Sequence, residues 1–337
     1  MSEDASAGGW STIESDEGVF TFLIEQLGVK DIQFEELVQL DSDSIRALSP
    51  VYGVIFLFKY IGSSTTSTSN PQDGTFDPAA VDSDAGFFFA AQTIQNACGT
   101  QAILSIILNN DPSNPSLQPS STIDIGQELR SFKDFTTGFP SDLLGEALSN
   151  SSLIRETHNS FARSSPFANE TQQDPAARTE DVFHFIGYTV RNNILYELDG
   201  LQPYPISHGP CTTDEFADKI IPVLLKRISR YPPEEVRFNL MAVCRDLRIK
   251  AQEIGDVEAL ARQKRKRTAW EWENALRRHN FVGFIGEILK GVVELKLENG
   301  GEAEYQRWVE EGKKTTEKRM TENQARRKGE AGEEMQE

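Results

Sequence analysis

One cysteine stands where a polar approach turns into an apolar run: QTIQNACGTQAILSIILNN, residues 92–110, with Cys98 at the change. The run AILSIILNN has the character of a core helix, which places Cys98 in its first turn. Unpaired N–H groups and the helix dipole favour an anion there, so a thiol in that turn gains thiolate character and nucleophilicity. Core filler is the plainer reading of the same residue, and only a partner base separates the two. The chain has four histidines: His158, His184, His208 and His279. His184 lies inside the apolar strand pattern VFHFIGYTV, where an imidazole must find a hydrogen-bond partner. A satisfied core histidine and a general base both fit that position. Asp199 closes the next strand pattern, ILYELDG.

The two strand patterns meet at Asn192-Asn193, residues that tolerate positive φ in a tight hairpin. A two-residue loop sets Arg191 opposite Ile194 and Asp199 opposite Ile186, with His184 two residues along on the same face. Such diagonal neighbours lie about 7–8 Å apart at the backbone, within reach of a His–Asp hydrogen bond. A loop one residue longer would send the two side chains to opposite faces. With that register the roles follow. Asp199 accepts from the imidazole and fixes its tautomer, His184 takes the thiol proton, and Cys98 attacks a carbonyl to form a thioester. The Cys98 backbone N–H and the Gln92 amide are the candidate donors for the oxyanion, although Gln92 alone reads as a surface helix residue.

These side chains need elements to hold them. GVFTFLIEQLG has the 3–4 spacing of a helix, with Ser15 or Asp16 as cap, and VYGVIFLFKY reads as a central strand buried on both faces. Residues 61–85 and 111–121 are Ser-, Asn- and Pro-rich and read as loops. Residues 160–181 carry almost no apolar period over 22 positions, a length that marks a functional or disordered loop. FNLMAVCRD reads as a further strand, and helical patterns dominate after residue 246. From about residue 310 the charged sequence is expected to be disordered or a solvated helix.

The 337 residues allow one large domain with an appendage, or two domains. Three widely spaced cysteines, with no CxxC, argue against a disulfide framework or a zinc site, and no cofactor is called for. No long uncharged apolar run suggests a membrane span, and the start MSEDASAGGW lacks the features of a secretory signal. The net charge of −18 is uneven: the first 100 residues hold 15 acidic side chains against three basic ones, a balance of −12. Such a surface repels nucleic acid and suits a basic partner, or serves solubility alone.

The segments QTIQNACGTQAILSIILNN, EDVFHFIGYTV and LYELDGLQPYPISHG resemble the ubiquitin carboxyl-terminal hydrolase family of cysteine proteases. WSTIESDEGVFTFLIEQLGV and SNSSLIRETHNSFAR do so too, and the likeness spans nearly all of residues 8–246. Carried over, it makes Cys98 the nucleophile, His184 the general base and proton donor, Asp199 the residue orienting His184, and Gln92 the oxyanion-hole glutamine. Gly99 stands where the family also uses Ala. The resemblance implies an α/β, papain-like cysteine hydrolase with a central antiparallel sheet wrapped by helices and a knotted backbone. It also makes residues 160–181 a crossover loop spanning the active-site entrance. Ubiquitin is then the expected partner, and its arginine-bearing tail would suit the acidic first half. A non-catalytic ubiquitin-binding scaffold and a hydrolase of a related modifier such as Nedd8 are the alternatives.

In the C-terminal third, RQKRKR (residues 262–267) reads as a solvated helix face, a nuclear localisation signal or a nucleic-acid patch. Leu276, Phe281, Phe284, Ile285, Ile288 and Leu289 form an apolar stripe that must pack on its own domain or on another protein. The tract ENALRRHNFVGFIGEILK is similar to the helical deubiquitinase-adaptor extension of the family's long, proteasome-associated form. That likeness implies a proteasomal ubiquitin-receptor subunit as partner, or in animals a chromatin-remodelling subunit, and a cytoplasmic and nuclear location. About 20 residues separate Asp246 from Trp270, a shorter spacer than the animal form leads one to expect. The expected organisation is a catalytic domain over 8–246, a helical adaptor domain over 247–310 and a charged tail over 311–337.

Overall fold

The computed structural model describes residues 9–60, 71–83, 86–162 and 182–333. Seven strands among them form one sheet: β1 (Ile32–Glu36), β2 (Val51–Lys59), β3 (Thr75–Phe76), β4 (Phe183–Arg191), β5 (Ile194–Leu198), β6 (Ile206–Pro210) and β7 (Asn239–Arg245). Their order is β1-β7-β2-β4-β5-β6-β3, with antiparallel pairing throughout. β2 thus lies between β7 and β4, as its unbroken apolar sequence demands.

The helices flank this sheet in chain order. The first seven are α1 (Glu17–Gln26), α2 (Ser42–Ala47), α3 (Pro78–Ser83), α4 (Cys98–Ile107), α5 (Gly126–Thr136), α6 (Ser141–Asn150) and α7 (Ser152–Asn159). After β4–β6 come α8 (Phe216–Ile228), then α9 (Leu247–Glu253), α10 (Val257–Arg278) and α11 (Val282–Glu333). Asp16 caps α1 by accepting from the Val19 N–H, and Asp256 does the same for α10 with Ala259. Every residue of α4 is buried, as its all-round apolar sequence requires. It packs with Phe20, Leu23, Phe34 and Val243 in one core, while Val54, Phe56, Tyr188, Ile220 and Leu224 form a second. The described residues contain no helix long and apolar enough to cross a membrane.

Contacts divide the chain after His279, so α9 and α10 belong to the unit that holds the sheet, and the expected boundary after Asp246 falls inside it. The reason is charge. Lys266 meets Glu17 at 2.9 Å and Glu35 at 2.7 Å; Arg267 meets Glu25 at 2.6 Å. Arg277 meets Asp16 at 2.7 Å and Glu14 at 3.0 Å. Three cations of α10 therefore offset part of the acidic excess of the first half within the chain. The reading of residues 262–267 as a solvated face needs correction: Arg262, Lys264 and Arg265 are exposed, but Lys266 and Arg267 turn inward. Trp270 seats against Gly18, where a Cβ would come 2.6 Å from its ring, so α1 and α10 approach closely only because residue 18 has no side chain.

In the second unit α11 breaks its helical geometry at Gly301, with φ of 62°. Phe284, Ile285, Ile288, Leu289 and Leu295 are exposed. Its backbone stays helical to Glu333, where disorder or a solvated helix was expected, and the side chains from Glu310 to Arg319 are exposed. Of the expected crossover loop over 160–181, residues 163–181 lie outside the described residues, as do 61–70 and 84–85 of the expected insertion.

Candidate active site

Cys98 is the first residue of α4, preceded by a single 3-10 turn over Gln95–Ala97. The residue is 9% exposed, and the Gly99 backbone behind it packs near the Phe185 ring. A Cβ at Gly99 would sit 3.5 Å from that ring in ordinary contact, so Ala would fit there without altering the helix start.

The hairpin register is the one a two-residue loop requires. Arg191 pairs with Ile194 and Gly187 with Leu198, while Asn192 and Asn193 hold φ of 53° and 54°. Asp199 follows the last residue of β5, opposite Ile186 if the ladder is continued by one step. His184 Nε2 then lies 2.7 Å from Asp199 Oδ1, with both side chains 4% exposed. The same oxygen accepts from the Leu201 N–H at 3.0 Å, and this short turn fixes the carboxylate. Because a carboxylate only accepts, Nε2 carries its proton, which leaves Nδ1 as the imidazole atom for Cys98. The Cys98 sulfur is near enough to that imidazole to act on its protonation.

Burial alone would lower the His184 pKa. The Asp199 carboxylate, by charge and hydrogen bond, and the Cys98 sulfur outweigh burial and lift it to about 9. Burial would raise Asp199, but the neighbouring His184 and the Leu201 N–H hold it below the usual carboxylate range. Phe58 and Tyr60 present ring edges to the imidazole at 5.7 and 5.8 Å, so the ring has little room to turn. By contrast Cys211 is pushed up to about 11 by burial, and burial also raises Cys244. Burial thus disfavours the thiolate at both.

Gln92 reaches the site by a backbone tether: its N–H donates to the Gly200 carbonyl at 2.8 Å, one residue past Asp199. A Cβ at Gly200 would lie 3.0 Å from the Gln92 Cβ and would collide with the Gln101 amide. Glycine there lets the two segments approach without displacing the Gln101 amide. Of the four expected site residues, Cys98, His184 and Asp199 therefore meet in one buried group, with the Gln92 backbone alongside.

Sequence reasoning missed the supports. His158 is wholly buried, with Nδ1 2.7 Å from the Thr100 hydroxyl and Nε2 2.6 Å from the Ser11 carbonyl. A carbonyl accepts only, so Nε2 is the protonated nitrogen, and burial lowers the His158 pKa to about 4. Asn96, two residues before Cys98, donates to the Trp10 carbonyl at 3.0 Å. The segment leading into α1 is thus stapled to the start of α4. The sequence signal was the buried-type histidine itself, but nothing local names partners 58 and 147 residues away. Glu197 and Arg227, which sit behind the site, were equally invisible; LYELDG shows the glutamate, not its burial.

The model of "Ubiquitin carboxyl-terminal hydrolase, family 1" matches residues 10–229, and a model of the C-terminal part of ubiquitin carboxyl-terminal hydrolases matches 254–296. The chain is 48% identical over 296 residues to ubiquitin carboxyl-terminal hydrolase 2 of Schizosaccharomyces pombe, covering 86% of this chain and 92% of the relative. It is 37% identical over 339 residues to ubiquitin carboxyl-terminal hydrolase isozyme L5 of Dictyostelium discoideum, covering 85% and 92%. Among solved structures, Trichinella spiralis UCH37 bound to ubiquitin vinyl methyl ester aligns with a TM-score of 0.57 at 33% identity, covering 80% of this chain and 99% of that one. The antiparallel sheet with its helices agrees with the expected papain-like α/β fold. A thiol at a helix start, backed by an imidazole and a carboxylate on one hairpin, is what such a hydrolase needs, and this chain belongs to the ubiquitin carboxyl-terminal hydrolase family.

Proposed function

We propose that Cys98, His184, Asp199 and Gln92 carry thiol-dependent hydrolysis of the bond following the C-terminal glycine of ubiquitin. The observation that carries this is the His184 Nε2–Asp199 Oδ1 contact of 2.7 Å, with Cys98 beside the same imidazole at the start of α4. His184 takes the Cys98 proton, and the sulfur attacks the glycine carbonyl carbon. The oxyanion that forms is met by the Cys98 backbone N–H and the Gln92 side chain, a single such donor supporting about 10²–10³ in rate. His184 then protonates the leaving amine, the carbon–nitrogen bond breaks, and a thioester remains. Water, deprotonated by His184, cleaves the thioester and returns the thiol. Asp199 holds the imidazole tautomer throughout.

The exposed apolar side chains of α11 support a recruiting role for that segment. In this reading it binds a proteasomal ubiquitin-receptor subunit, and the protein works in the cytoplasm and nucleus. Phe284→Glu with Ile288→Glu in the full chain should abolish binding to that receptor and leave hydrolysis by the free protein intact.

Release of a fluorophore from the carboxyl terminus of ubiquitin tests the chemistry. Wild type should turn over and Cys98→Ala should not. Equal release by Cys98→Ala would end the assignment, and a parallel Nedd8 substrate reads modifier preference.

A further inference from the structure

Two residues before Asp199 the chain buries a second carboxylate. Glu197 is 3% exposed, and along an extended strand its side chain points to the same face as Asp199. Arg227 of α8 donates to Glu197 Oε1 at 2.5 Å. The Tyr188 hydroxyl, directly across the ladder, donates to Oε2 at 3.0 Å, and His208 Nε2 lies 3.1 Å from the same oxygen. The Arg227 guanidinium also covers the Phe58 ring at 4.4 Å, and Phe58 is the ring whose edge meets His184. Arg227 Nε has no hydrogen-bond partner, so the side chain is held by its ion pair and the ring rather than by a full set of acceptors.

A buried ion pair costs desolvation that apolar packing avoids, and replacing both partners by apolar residues is often neutral or stabilising. Stability is a poor reason to keep one here. Two anions on one face also repel, and an unmatched Glu197 would work against the ionised Asp199. The positive charge of Arg227 acts on both carboxylates, holding Glu197 below the usual range against burial and contributing in the same direction at Asp199.

We propose that Arg227 and Glu197 form a charge-compensated pair that positions the His184–Asp199 couple and sets the pH range in which Cys98 reacts. Both are positioning residues, since neither touches the sulfur. This role presupposes that Cys98 and His184 are the reacting pair. The ionisable groups facing the His184 ring are Cys98 from α4, Asp199 after β5 and Tyr60 after β2. Behind them stand Glu197, Tyr188 and His208 from the sheet, with Arg227 and Tyr231 from α8 and its exit.

Loss of the Arg227 charge leaves Glu197 behind Asp199 without its paired cation, held only by Tyr188 and His208. The added negative potential disfavours a thiolate at Cys98 and favours a protonated His184, so the reactive range moves to higher pH. Loss of the Glu197 charge leaves Arg227 unmatched and moves the range to lower pH. Loss of both should return it near its starting point.

The test is the pH dependence of Cys98 alkylation by iodoacetamide in the full chain, read by peptide mass, beside the pH profile of kcat/KM on a fluorogenic ubiquitin substrate. Arg227→Gln should raise the alkylation midpoint by about half a pH unit or more, Glu197→Gln should lower it, and Arg227→Lys should stay near wild type. The double variant Glu197→Gln/Arg227→Gln should fall within about 0.2 units of wild type. If Arg227→Gln does not fold, Glu197→Gln and the double variant carry the comparison. Midpoints unmoved in folded variants, with rates lowered equally at every pH, would leave the pair a structural role and overturn the proposal. A wild-type Cys98 no more reactive than Cys211, together with no turnover, would instead remove the catalytic reading on which the proposal stands.

Discussion

Two arginines in this molecule are built alike and sit in different company. Arg227 and Arg267 are both nearly buried, with side chains 12% and 7% exposed. Each pairs with carboxylates, each lies over an aromatic ring, and each leaves its Nε without a partner. Behind the ring under Arg227 is His184; behind the ring beside Arg267 is the bare backbone of Gly18. The same device therefore reaches the reacting group in one case and fastens α10 to α1 in the other. What separates a charge that tunes chemistry from one that holds a helix is the next group along, not the ion pair itself.

The widest gap between the two regions should appear on cutting the catalytic side. Asp199→Asn keeps the shape but favours the wrong imidazole tautomer, and kcat/KM of the folded protein should fall by about 10³–10⁴, with urea unfolding checking the folded fraction. A loss below tenfold would show that His184 needs no orienting carboxylate. On the other side, Arg267→Met takes a partner from Glu25, whose side chain is 33% exposed, while Asp246 keeps Arg248, and should cost about 1–2 kcal/mol in urea unfolding. The pH profile of the folded Arg267→Met protein should not move; if it moves as the Arg227→Gln profile does, the contrast between the two arginines fails.

The register of the β4–β5 hairpin was legible because Asn192-Asn193 admits a two-residue loop, and that register alone puts His184 and Asp199 on one face. The place of Cys98 was legible from the change of pattern at residue 98, and β2 from its unbroken apolar run. Lys266 and Arg267 were not legible. A basic run beside charged neighbours has the composition of a solvated face, and, Asp246 apart, their acidic partners lie more than 200 residues away, on α1 and β1. Nor was the burial of Glu197, since local sequence cannot show that Arg227 of α8 arrives above it. Gln92 was named for its side chain, whereas the fold positions it through its backbone and Gly200.

The histidines sharpen the contrast through pH. His158 has a folded pKa of about 4 against about 6.5 unfolded, so below 6.5 the unfolded chain takes up a proton that the folded chain refuses. Stability should fall by about 3 kcal/mol as pH drops from 6.5 to 4, and His158→Gln should flatten that fall in urea titrations. His184 runs the other way: with its folded pKa raised to about 9, its stabilisation is fully present below 6.5 and lost as pH climbs through 9. A His184→Gln protein should therefore lose stability relative to wild type at pH 6 and less so at pH 10. The smallest effect belongs to Lys266, whose side chain is 29% exposed. Lys266→Met should cost about 1 kcal/mol, shrinking in high salt, because the pair is partly screened.

The identity of the nucleophile is tested most directly by ubiquitin carrying a vinyl methyl ester at its carboxyl terminus, with the product read by intact mass and peptide mapping. The wild-type chain should gain one ubiquitin, attached at Cys98. His184→Ala should slow the labelling by orders of magnitude, and Arg267→Met should label at the wild-type rate. Attachment at Cys211 or Cys244, or an unlabelled wild-type protein, would contradict the account.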